Sequence, residues 1–351
     1  MNNRTYVLAG GGYRYDYAVC LLRIVACCLI VWNHLSGHML DGRGNPLSLA
    51  NIGVQIFFFM SGWLYSKQEI LNPVDWIKHN LIKIYIPYWL SLILLLPMIA
   101  GLTVGNVTLK GVLAAFLGIQ GFGFTIGGIG QHWFVSYIII CYLITPTVLF
   151  RLKSKFKNKC IWVWLAFAAI IAQAITIPFA ILFQFKVAYI FNYVIGYVYG
   201  VRYATNSGQD KKIFDSFIIF IAILGIGIRI YLAEINADGL MENVCDVVTQ
   251  WIRVIQGCAF FIIFTNLLSL KMDGLPDSVK KCLKRISEYT YEVYLVHEFF
   301  TMNMFTDLLK SSIGIKVVIV LSVIVIATVV LVVMEKIING IKCNIRKGIR
   351  K

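Results

Sequence analysis

LLRIVACCLIVWNHLSGHM, Leu21 to Met39, is an apolar run that nevertheless keeps Arg23, His34 and His38. Histidine, with an ordinary pKa of about 6.5, is suited to taking a proton from an attacking hydroxyl. Arginine holds phosphate or carboxylate through a planar fork of donors. Arg23 and His34 are eleven positions apart. That is close to three helical turns, so on a helix both side chains share one face, about 16 Å apart along the axis. A charge inside a membrane helix costs at least ~2.5–3.5 kcal/mol, so this face is expected to look onto a polar cavity. The bland alternative for each residue alone is an arginine that snorkels to the headgroups and a histidine bonded to a neighbouring helix. His34 and His38 have the spacing of a helical metal pair, but no further ligand is suggested and no metal is expected.

The rest of the chain says what must position these groups. Its 351 residues are 59% hydrophobic and 14% charged, with mean hydropathy +0.77. A soluble domain is about 45–50% apolar and about 25% charged. The composition predicts an all-α polytopic membrane protein built as a single domain over residues 1–351, with its core at about 14–338 and a basic tail at 339–351. The net charge of +15 fits basic loops against anionic lipid better than nucleic-acid binding. Cysteines inside apolar runs, such as Cys27, Cys141 and Cys258, read as small core residues rather than a disulfide framework.

Apolar runs of roughly spanning length lie at 17–39, 50–66, 84–102, 132–150, 161–184, 187–201, 213–233, 247–270, 287–305 and 314–335. A short glycine-rich segment, 111–126, is expected to be re-entrant or interfacial. Every second connection is basic: Lys67 to Lys83, RLKSKFKNK from Arg151 to Lys159, Arg202 to Lys212, Lys271 to Arg285, and the tail. The opposite connections are poor in Lys and Arg, and Ala233 to Asp246 is acidic. The positive-inside bias then gives about ten crossings with both termini cytoplasmic, in a multi-pass protein of the cytoplasmic membrane. GFGFTIGGIG suggests a mobile or tightly bent outer segment. Ser61-Gly62 reads as a close helix approach rather than a nucleophile, and Trp133, with His132 before it, as an outer-interface residue.

Arg23, ten residues, then His34 resembles the signature of the membrane-bound acyltransferase-3 family. Four further blocks follow in order: GVQIFFFMSGWL, Gly53 to Leu64; IKHNLIKIYIPYW, Ile77 to Trp89; HWFVSYIIICYLITP, His132 to Pro146; and SEYTYEVYLVH, Ser287 to His297. The chain departs from the family at Cys20, where an acidic residue is usual and Asp16 lies one turn earlier. It departs also at Gln55, usually acidic, and at Asn80 and Lys83, where the family has a pair of arginines for the phosphates of acyl-CoA.

The resemblance implies ten core spans with both ends cytoplasmic. It implies transfer of an acyl group, usually acetyl, from cytoplasmic acyl-CoA to a hydroxyl of a surface polysaccharide or its lipid-linked precursor. Acyl-CoA is then a co-substrate, and no bound cofactor is expected. His34 is the candidate base. Arg23, Lys78 and Lys83 are candidates for holding the donor. His297, Trp133 and Tyr294 are candidate acceptor-side or supporting residues. Glu298 follows His297 at about 100° around the helix, so the two cannot face one target. A transporter or flippase with Arg23 and His34 along its pathway, and a non-catalytic partner in a synthesis complex, are the competing readings.

Overall fold

The protein was analysed as a computed structural model, which describes residues 17–39, 49–101, 107–158, 160–183, 185–203, 208–235, 238–272, 274–307 and 309–349. Arg4, Arg14, Asp16, Lys159, Arg350 and Lys351 lie outside them, as do the side chains of His38, Lys271, Lys342, Arg346 and Lys347. Among the described residues there is no strand. The helices are α1 (Tyr17–Met39), α2 (Gly53–Ser66), α3 (Pro73–Gly101), α4 (Leu109–Leu117), α5 (Trp133–Ile144), α6 (Ile161–Phe183), α7 (Val187–Tyr203), α8 (Gln209–Glu234), α9 (Leu240–Met272), α10 (Asp277–Glu288), α11 (Thr290–Thr301), α12 (Asn303–Thr306) and α13 (Ile313–Ile349).

Six stretches among the described residues are long and apolar enough to cross a bilayer: those of α1, α3, α8, α9 and α13, and Gly130–Leu149, which contains α5. The protein is therefore an all-helical, polytopic membrane protein. The long helices α8 and α13 turn Phe217, Phe220, Val318 and Val325 outward. Two of the apolar runs, 50–66 and 287–305, form shorter helices than their length suggests, and the run at 187–201 forms a helix shorter than the bilayer core. α2, α7 and α11 have 14, 17 and 12 residues, which is about 21, 26 and 18 Å against a hydrocarbon core of about 30 Å. They can be short because they are interior. Most of α11 is buried, and α2 and α7 bury the faces they share.

Local sequence explains two boundaries that the hydropathy pattern misplaces. α3 begins at Pro73, well before the apolar run at 84. Asn72 Oδ1 accepts from the backbone N–H groups of Val74 and Asp75 at 3.0 and 3.3 Å, a side-chain cap followed by proline at the first helical position. Lys78, His79 and Lys83 are thus helical rather than in a loop, and the helix runs on through Pro87 and Pro97.

The other boundary is α4, whose nine residues reach about 13 Å and cannot cross. Thr108 caps it through Gly111 N at 3.1 Å, and Gly118 ends it with φ 72°. Its last carbonyls, which a helix leaves unpaired, are taken by α3: the Tyr88 hydroxyl donates to Ala115, Tyr85 to Leu117 at 2.9 Å and the Trp89 indole to Phe116 at 2.9 Å. Tyr85 lies sixteen residues before Gly101, about 24 Å along α3. The 109–126 segment therefore dips alongside α3, as a re-entrant segment would. Glycines bend it and the turn that follows tightly, with φ 86° at Gly123 and 89° at Gly128. Such backbone survives at membrane depth only when protein covers it or it borders a cavity.

α2 and α7 meet backbone to backbone. A Cβ on Gly62 would collide with the Tyr193 carbonyl oxygen, one on Gly196 with that of Phe59, and one on Gly200 with the Ser66 hydroxyl. Gly196 and Gly200 are four apart, the small-residue spacing of close-packed membrane helices, and Ser61-Gly62 belongs to this seam. Gly196→Val is expected to destabilise the protein by about 3 kcal/mol or more, because neither backbone can yield. Gly227→Ala, on an open face of α8 with nothing within 4 Å, should be neutral or mildly stabilising. Thermal unfolding of the two variants in one detergent checks the contrast.

Candidate active site

α1 and α11 run side by side with a fixed register. The Cys27 thiol donates to the Thr290 carbonyl at 3.6 Å. Seven residues further along each helix, the rings of His34 and His297 stand 5.0 Å apart, edge to face. A seven-residue step on both sides is two turns of each helix, the repeat of nearly parallel packing. His297 Nδ1 lies 2.7 Å from the Tyr294 carbonyl. A carbonyl only accepts, so Nδ1 carries the proton and Nε2 is the basic nitrogen. His297 is fully buried, and its Nε2 has no protein partner among the described residues.

The next residues of α11 hold the Gly130–His132 turn. The Gln131 amide and His132 Nε2 both donate to the Leu295 carbonyl, at 2.8 and 3.0 Å. The Tyr294 hydroxyl donates to the Gln131 carbonyl at 2.6 Å, and the Glu298 carboxylate lies against the turn. Gly130 is glycine for a reason visible here, since a Cβ would come within 2.8 Å of a Glu298 carboxylate oxygen. His297 and Glu298 thus face different targets, as their 100° offset requires. His297 meets α1 and Glu298 meets the turn.

A cavity of about 230 Å³ opens beside this pair, lined by His34, Gln55, Gln120, Gln131, Trp133 and Tyr294 among others. Several buried polar atoms on its walls have no protein partner among the described residues: Gln55 Oε1, both amide atoms of Gln120, Gln131 Oε1 and Arg253 Nε. Buried polar atoms normally find partners, so these are left for water or a ligand.

The expected site residues divide into two groups. His34, Trp133 and Tyr294 line the cavity, with His297 packed against His34. Trp133 lies 4.6 Å from the Tyr189 ring and faces the cavity rather than serving as a lipid-interface residue. His132 is likewise not at the interface: it is fully buried with its ring 5.1 Å from Tyr88, because the turn that carries it sits inside the helix bundle. Tyr294 has committed its proton to Gln131, which makes it a wall and a brace.

Arg23, Lys78 and Lys83 lie elsewhere. Arg23 is half-buried on α1 and outside the cavity lining. Lys78 and Lys83 are exposed on α3. Asn80 is locked in place, its amide donating to the Trp76 carbonyl at 2.8 Å and its oxygen accepting from the Tyr65 hydroxyl at 3.1 Å, so the exposed basic residues of that block are Lys78 and Lys83. Among the described residues no cluster of three metal-ligating side chains occurs.

Sequence reasoning passed over Arg253, Lys186, Gln120 and Gln131, all of which line the cavity. Arg253 was findable by the rule that drew attention to Arg23, since it interrupts the apolar run 247–270. The glutamines carry no such signal; only the fold shows them unpaired.

These features define a class: a polytopic membrane protein with a partly polar cavity built around paired histidines at membrane depth. A family model described as an acyltransferase domain matches residues 16–335, and the chain belongs to this acyltransferase-3 family; it is a membrane acyltransferase. No curated protein matches significantly, and no solved structure does. If the cavity holds water, Asn33→Cys on its wall should react with a charged, membrane-impermeant thiol reagent. Leu321→Cys, on the lipid-facing side of α13, should not. Both are measured in a background with Cys28, Cys160, Cys245 and Cys282, the exposed or partly exposed thiols among the described residues, and Cys343 replaced by serine.

Proposed function

We propose that the protein is an O-acyltransferase of the cytoplasmic membrane that moves an acetyl group from cytoplasmic acyl-CoA to a hydroxyl of a cell-surface polysaccharide or its lipid-linked precursor. The observation that carries this reading is the cavity in which His34 stands beside His297 and unpaired amides, within a chain of the acyltransferase-3 family. In this reading α2, α6, α7 and α11 also cross, which with the six long spans gives ten crossings and both termini on one side. The basic connections assign that side to the cytoplasm. The cavity then lies toward the outer side, where α1 ends and α2 and α7 begin.

His34 takes the proton from the acceptor hydroxyl as its oxygen attacks the thioester carbonyl. The C–S bond breaks, the acyl group becomes an ester, and the proton passes to the departing thiolate. His297 packs edge to face on the His34 ring and orients it by that contact. The charge that develops on the carbonyl oxygen needs a preorganised donor, and the Gln120 amide and the Trp133 indole N–H both border the space. Arg23 sits about 16 Å deeper on α1, with Lys78 and Lys83 on α3, where the phosphates of the donor are held at the cytoplasmic mouth.

The test follows label from [acetyl-14C]acetyl-CoA into lipid-linked or polymeric glycan in membranes that contain the native acceptor. His34→Ala is expected to lower transfer by about 10²–10⁴-fold, the usual contribution of a positioned base, with insertion and thermal stability kept. Equal label in the variant would remove His34 from the chemistry. Substrate movement across the membrane with no acyl-CoA requirement would replace this reading with transport.

A further inference from the structure

The cavity that His34 lines is also cationic. Lys186, just before α7, and Arg253, on α9, both line it, and among the described residues no aspartate or glutamate does. Arg253 is placed within a membrane-spanning helix, where a charge is costly unless something answers it. Among the described residues nothing does so closely. Arg253 Nε is buried without a partner, and among the described residues no carboxylate lies within ion-pair distance of either cation.

Asp246 acts on both cations by longer-range attraction, but it is exposed and stays outside the cavity lining. Arg229 on α8 adds to the positive field felt around Arg253. Its own guanidinium is satisfied by neutral acceptors, Gln256 Oε1 at 2.6 Å and the Leu49 carbonyl at 3.2 Å. Arginine with uncommitted donors, backed by a lysine as a second point charge, is the arrangement that recognises a carboxylate or phosphate. A neutral sugar would need only the amides already present.

We infer that the acceptor is anionic: a carboxylate or phosphate of the acceptor docks on Arg253 and Lys186 and thereby places the reacting hydroxyl at His34. This rests on the acyltransferase reading for the hydroxyl but not for the anion. The cations belong to the acceptor rather than the acyl group because they line the outer cavity, whereas the donor enters from the side of Arg23. Arg253 is therefore a specificity-determining residue for the acceptor.

Calorimetric titration of the full-length protein in neutral-lipid nanodiscs tests the inference without acyl transfer. The probes are a glucuronate-containing disaccharide, its carboxyl-reduced neutral counterpart, and inorganic pyrophosphate. At least one anion should bind saturably, and the neutral sugar roughly tenfold more weakly or worse. Arg253→Gln should lose roughly tenfold or more in anion affinity, with Arg253→Lys intermediate because it keeps the charge and loses the fork. Tighter binding of the glucuronate probe assigns the site to an acidic sugar, and tighter binding of pyrophosphate to the phosphates of a lipid-linked precursor.

Equal binding of charged and neutral sugars, absence of binding by all three probes, or anion affinity unchanged in Arg253→Gln would overturn the inference. So would a transfer defect of Arg253→Gln that appears with succinyl-CoA and vanishes with acetyl-CoA, which would give the anion to the acyl group. Anion binding without any label transfer would sink the proposed acetyl transfer from acetyl-CoA to glycan and leave this site standing. Transfer without anion preference would do the reverse.

Discussion

The grip of α11 on the Gly130–His132 turn is the constraint on which the site depends. Three hydrogen bonds join them, two to the Leu295 carbonyl and one from Tyr294, and the Glu298 carboxylate lies against Gly130. Irregular backbone inside a membrane leaves polar groups that lipid cannot satisfy. By satisfying the Gln131 carbonyl and anchoring the Gln131 and His132 side chains, α11 lets the chain dip beside α3 and return without crossing. The same helix then turns His297 toward α1. Release of this grip would strand the turn and separate the histidines from the wall formed by Gln120, Gln131 and Trp133.

Around that grip the bundle separates structural from chemical polarity. Asn80 and Arg229 are buried and spent on named neutral partners, so they fix the positions of helices. Gln120, Gln131 Oε1, Arg253 Nε and His297 Nε2 are buried and unspent, and three of these four residues line the cavity itself. Unspent groups cost stability, and a membrane protein keeps them where a ligand supplies the missing partner. The glycine seam between α2 and α7 has the opposite character. It holds the interior helices at backbone contact, which lets short helices sit among long ones and leaves a hollow where α1, α2, α7 and α9 diverge.

Much of this was legible in the sequence, for physical reasons that differ by residue. The eleven-residue spacing of Arg23 and His34 is a helical property, so one shared face follows without a structure. Hydropathy located the long spans because lipid selects for apolar side chains over about 20 residues. It located α7 closely and overestimated the lengths of α2 and α11, because an interior helix has no need to match the bilayer. It also missed the start of α3, where a cap at Asn72, not hydrophobicity, sets the boundary. His132 was misplaced because residues next to a tryptophan look interfacial until a re-entrant turn carries them inward. Gln120 and Gln131 were invisible: a glutamine's role lies in whether its amide is paired, which depends on residues more than a hundred positions away.

The central claim is that His34 and His297 act as one unit. It is tested most directly by the rate of acyl transfer in His34→Ala, His297→Ala and the double variant, each referred to the wild type. If the two rings share one proton-handling task, the double variant will be no slower than His34→Ala alone, the strong non-additivity of groups that work together. If the two losses multiply, the histidines act independently and the pairing of α1 with α11 is scaffolding rather than chemistry.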